Sequence, residues 1–98
     1  MSTRIVINPL AEQDLQDARR WYEQEQAGSG EGLVAEVEAV LRRIADAAGT
    51  HERIRRDVHL ILVKRYPYAI YYRMEGELAV VLSVMHTSRN PREWKRRL

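Results

Sequence analysis

The chain contains no cysteine and no phenylalanine. Without thiols there is no disulfide framework, no thiolate metal site and no cysteine nucleophile. Without phenylalanine, leucine, valine, isoleucine, alanine, tyrosine and tryptophan must fill the core. Three prolines and five glycines are the only strong punctuation in 98 residues, and no repeat, low-complexity tract or linker is visible. No apolar run approaches the ~20 residues that cross a bilayer. Met1-Ser2-Thr3-Arg4 leads directly into a strand pattern and lacks the features of a signal peptide. The expectation is a single domain over residues 1–98, in the cytoplasm, because a typical domain needs about 100 residues.

Two further absences narrow the chemistry. His51, His59 and His86 are far apart and lack ligand spacing, so no metal is expected. No glycine-rich phosphate loop follows a strand, no paired carboxylates stand near the basic end, and no cofactor is expected.

What is present is charge, unevenly spread. Residues 1–50 carry nine acidic and five basic side chains, a net of −4; residues 51–98 carry five and eleven, a net of +6. A basic half suits either a nucleic acid or an acidic protein segment.

The periodicities predict one α+β domain. Arg4 to Ile7 reads as a short strand, and Asn8-Pro9 as an N-cap with proline at the first helical position. Ala11, Leu15, Ala18 and Tyr22 form an amphipathic stripe, which Ala27-Gly28-Ser29-Gly30 breaks. A second helix carries Leu33, Val34, Val37, Val40, Leu41, Ile44 and Ala45 on one face and ends at Ala48-Gly49. So short a connection implies an antiparallel helical hairpin. A three- to four-stranded antiparallel meander follows: Ile54 to Val58, His59 to Arg65, Tyr68 to Met74 and Leu78 to Met85, with Pro91 to Arg97 as a last helical turn. Leu15, Ala18, Tyr22, Val37, Leu41, Ile44, Ile70 and Val81 are the expected core. Of the tyrosines at 66, 68, 71 and 72, strand alternation sends one set toward the helices and the other toward solvent.

The most specific stretch is the last hairpin. Tyr66-Pro67-Tyr68-Ala69-Ile70-Tyr71-Tyr72-Arg73 leads through a Glu75-Gly76 turn into Val80-Val81-Leu82-Ser83-Val84-Met85-His86, then Arg89-Asn90-Pro91-Arg92-Glu93-Trp94. Together with Pro9-Leu10-Ala11-Glu12-Gln13-Asp14-Leu15, Trp21-Tyr22-Glu23 and Gly30-Glu31-Gly32-Leu33, it resembles the RelE/ParE superfamily, the toxins of type II toxin–antitoxin modules. These elements run over nearly the whole chain in the family's usual order.

The resemblance implies two possible targets. RelE-type, ribosome-dependent mRNA endonucleases have an arginine before the aliphatic-aromatic pair of the penultimate strand, where this chain has Ala69 before Ile70-Tyr71. For that chemistry, which needs an acid, a base and cations around a phosphorane, the candidates are Arg56, Arg73, His86 and Arg89. The long helical hairpin and the His86 to Trp94 ending look more like the ParE, plasmid-stabilisation side, associated with poisoning DNA gyrase by protein contact and not with hydrolysis. On that reading Arg89, Arg92, Trp94 and Lys95 contact the target. Arg53, Arg55, Arg56 and Lys64 meet a short, acidic antitoxin that is partly disordered when free. A non-toxic module that only binds antitoxin is the third reading. At the residue level, His86 is expected to cap the last strand through a backbone carbonyl and Trp94 to close the core.

Overall fold

Asn8 turns the chain from strand to helix. Its Oδ1 accepts the Leu10 N–H at 2.8 Å, and Pro9, with no N–H to satisfy, opens the helix. The computed structural model describes residues 3–47, 52–55, 58–89 and 91–98. Within them, strand β1 (Arg4–Ile7) precedes helices α1 (Pro9–Glu25) and α2 (Ser29–Ala47). Strands β2 (Glu52–Arg55), β3 (Val58–Leu62), β4 (Tyr68–Glu75) and β5 (Leu78–His86) follow, then a 3-10 segment, Pro91–Arg97. The sequence expectation of β2 over 54–58 and β3 over 59–65 is shifted a few residues toward the amino terminus. The expected end of α2 at Ala48-Gly49 lies outside the described residues.

The turn between the helices is closed by a carboxylate. Glu23, in the last turns of α1, accepts the Gly28 N–H at 2.8 Å and the Gly30 N–H at 2.9 Å, serving the otherwise unpaired amides at the start of α2. Those bonds, the one from Gly28 foremost, hold the Glu23 carboxyl below its ordinary value. The expected break at Ala27-Gly28-Ser29-Gly30 separates α1 from α2, and Gly30 itself sits buried in the first turn of α2. A Cβ there would stand 2.4 Å from the Arg19 carbonyl oxygen, so glycine permits the close helix approach. At Gly32 a Cβ would stand 2.5 Å from the Tyr66 hydroxyl, which donates to the Ser29 carbonyl at 2.8 Å and ties the β3–β4 loop to α2.

The described strands form one five-stranded sheet in the order β1-β5-β4-β3-β2. β2 through β5 are an antiparallel meander, and β1 returns to pair in parallel with β5. One face receives the helices: Ala11, Leu15 and Ala18 of α1 and Leu33, Val37, Val40 and Ile44 of α2 pack on Ile70, Tyr72, Val81 and Val84. Tyr72 is fully buried, and burial pushes its phenol up to about 12. Tyr22 and Leu41, expected in the core, are half-buried and pack against its margin.

The other face is not the exposed surface that alternation implied. Tyr71 is only 9% exposed and joins Val58, Ala69, Leu82 and Met85 in a second apolar cluster. A bulge contributes: Tyr71 faces Ser83 but Tyr72 faces Val81, so Leu82 is the extra residue on β5.

Candidate functional site: a cleft between α1 and the end of β5

β1 pairs with β5 only from Leu78 to Val81, which leaves the rest of that edge to other partners. α1 supplies one. Asp14 Oδ2 accepts the Val84 N–H at 3.0 Å. The same carboxylate is gripped by Arg97 of the 3-10 segment, NH1 to Oδ2 at 2.5 Å and NH2 to Oδ1 at 3.1 Å. Arg97 NH1 also donates to the Leu82 carbonyl at 3.1 Å. Helix, sheet edge and carboxyl end thus meet at one ion pair, with side chains 14% and 17% exposed.

Beside this junction lies a cleft of ≈ 220 Å³ between α1 and the ends of β4 and β5, lined by Asp14, Asp17, Trp21, Tyr68, Val84, His86 and Arg89. A neighbouring hollow adds Tyr22 to Trp21, Tyr68 and His86. The aromatic rings meet edge to face: Trp21 with Tyr22 at 4.9 Å, Tyr22 with Tyr66 at 5.1 Å, and Tyr68 with His86 at 5.3 Å. Burial raises Tyr22 and Tyr68 above the ordinary phenol value, and Arg89 partly offsets this at Tyr68. Trp21 nonetheless remains 55% exposed.

His86 ends β5 facing this cleft. Its Nδ1 accepts the Ser88 N–H at 3.0 Å and meets the Ser88 hydroxyl at 2.7 Å. The strand-end contact is therefore with a backbone N–H and not the expected carbonyl, and in the neutral ring it puts the proton on Nε2. Arg89 stands beside it, more than half exposed, 3.6 Å from Glu93.

Among the described residues, the candidates named from sequence do not all converge. Arg73 lies at the opposite end of β4 from Tyr68, the residue that faces His86, on the order of 16 Å away by strand rise. It also points to the opposite face of the sheet and is bound to Glu75 at 2.7 Å. His86 and Arg89 do share the cleft, but its two carboxylates and one arginine make a poor cradle for a phosphorane. Ala69, where the nucleases carry arginine, is buried in the outer cluster. Arg53 is exposed on edge strand β2. Lys64 is exposed in the β3–β4 loop, on the order of 16 Å along β3 from His59, the partner of Arg53. Arg56 and the side chains of Arg55, Arg92 and Trp94 lie outside the described residues, whereas Lys95 is exposed. Among the described residues no helix is long and apolar enough to cross a membrane, and no group of histidines and carboxylates is placed to hold a metal ion.

Residues 5–91 match the model of the ParE toxin of the type II toxin–antitoxin system parDE. The chain belongs to the ParE toxin family. No curated protein sequence matches it. The fold of this ParE-family chain is shared by a solved structure titled "Chromosomal ParDE TA system from P. aeruginosa", with a TM-score of 0.76 and 13% identity over 87% of this chain and 96% of that one.

Two residues of the site escaped the sequence reading. Asp14 and Arg97 are 83 positions apart, so no local motif joins them. A signal did exist at one end: Asp14 lies three residues after Ala11 and four before Ala18, on the stripe that α1 buries. A carboxylate in that position requires a partner.

Proposed function

We propose that this chain is the toxin of its module, that it inhibits DNA gyrase in the cytoplasm by protein contact, and that a cognate acidic antitoxin neutralises it. One observation carries the reading. Arg89 lines a cleft that leaves Trp21 open to solvent, and Lys95 and Arg96 of the following segment are exposed, while Arg73 and His86 are held at opposite ends and faces of the sheet. Aromatic and arginine side chains gathered at an open surface favour protein recognition. Hydrolysis would need its acid, base and cations within reach of one phosphate.

The test is charge reversal of Arg89 and Arg92 to Glu. The pair that Arg89 forms with Glu93 is of an exposed kind that contributes little. Unfolding free energy should therefore change by no more than about half a kcal/mol. Inhibition of gyrase supercoiling, and growth arrest on induction, should fall at least about tenfold, because complementary charges at the contact become repulsive. A doubly reversed protein as potent as its parent removes the tip from the mechanism. Cleavage of ribosome-bound mRNA by the parent, with gyrase untouched, replaces the proposal with the nuclease reading.

A further inference from the structure

We infer that Asp14 is a positioning residue for the cationic end of the chain, holding it in a target-competent pose through Arg97. The inference rests on the reading of that end as the target contact. Arg97 is unlike its neighbours Lys95 and Arg96, which are exposed. Its guanidinium is inserted between α1 and β5 and makes three hydrogen bonds, two to the Asp14 carboxylate and one to the Leu82 carbonyl. The Val84 N–H fixes the carboxylate from the other side.

The backbone of the segment contributes weakly to its own shape. It is a seven-residue 3-10 helix, a form with poor internal hydrogen-bond geometry, and the Leu98 N–H reaches the Lys95 carbonyl only at 3.4 Å. Removing one member of a buried pair strands the other charge. Arg97 belongs to the 3-10 segment and not to the sheet, so a stranded guanidinium reaches water by lifting the segment off β5, with the five-stranded sheet intact. Apparent affinity for a target then falls by the fraction of molecules still docked. Arg97 thus fastens the segment that carries the exposed cations Lys95 and Arg96.

Asp14→Asn is the informative variant, because its amide oxygen still accepts the Val84 N–H while the charge is lost. We expect amide hydrogen exchange over residues 91–97 to accelerate about 10- to 100-fold while β4 amides keep their parental rates, and gyrase inhibition to weaken by a similar factor. Arg97→Ala should behave alike, and Arg97→Lys, which keeps the charge but loses the two-pronged grip, should recover part of both. Parental exchange over 91–97 in Asp14→Asn, or unchanged inhibition despite faster exchange, overturns the inference. If Asp14→Asn does not fold, Arg97→Ala, altered outside the sheet and the two helices, decides by the same readings. A parent that leaves gyrase untouched defeats the proposed target, and the exchange rates alone then decide whether the clasp holds the segment.

Discussion

Two carboxylates of α1, Glu23 and Asp14, do different work. Glu23 accepts backbone N–H groups at the start of α2 and is held below its unfolded value of 4.5. A depressed carboxyl stabilises the fold above that unfolded value, and the contribution disappears as pH falls through the folded one. Glu23→Gln should accordingly be less stable than the parent at pH 7, with the gap closing under acid. Denaturant midpoints compared at neutral pH and near pH 3 check this, and a gap of equal size at both would show that charge is irrelevant to the cap. Glu23 was legible as part of Trp21-Tyr22-Glu23, although its task was not, because accepting from Gly28 and Gly30 depends on how tightly the next helix turns back. Asp14 was legible only as an anomaly on an apolar stripe. Its partners, Val84 and Arg97, come from elements that periodicity does not bring together.

The elements themselves were largely written in spacing. The Asn8-Pro9 start, the stripes of both helices and the β4–β5 hairpin all stand where local chemistry put them. What periodicity could not supply was depth. Leu41 and Ile44 share one stripe of α2, yet Ile44 is fully buried and Leu41 lies at the edge of the core. Ile44→Ala should therefore lower unfolding free energy by roughly 2–5 kcal/mol and Leu41→Ala by about 1 kcal/mol. Chemical denaturation of the two variants checks the order; equal losses would put Leu41 in the core after all. Tyr71 shows the complementary limit. Alternation gave it the correct face, but it could not show that this face carries an apolar cluster of its own.

Across the whole molecule, the acidic and basic halves do not remain separate layers. β1, from the acidic half, pairs with β5, and Arg97 closes on Asp14. The exposed cations include Arg53, Lys64 and Arg89. If an acidic antitoxin segment uses Arg53 and Lys64, its affinity should weaken as salt rises from about 0.05 to 0.5 M, where screening shortens several-fold. Reversing both charges to Glu should flatten that dependence. Titration calorimetry at several ionic strengths measures both slopes, and an affinity indifferent to salt and to reversal separates antitoxin binding from this charge.

The parallel pairing of β1 with β5 also governs when the molecule can exist. β1 is made before the helices and its strand partner after them, and β5 carries the apolar residues on which α1 packs. At roughly 5–20 residues per second, the 30 positions between Ala47 and Leu78 take roughly 1.5–6 s to synthesise. Throughout that interval the helical hairpin has no finished sheet to cover, and contacts so distant in sequence close slowly even then. Neither the cleft nor the clasp can form on a nascent chain that has not reached Leu78, so a truncated product has no aromatic cleft and no docked cationic end.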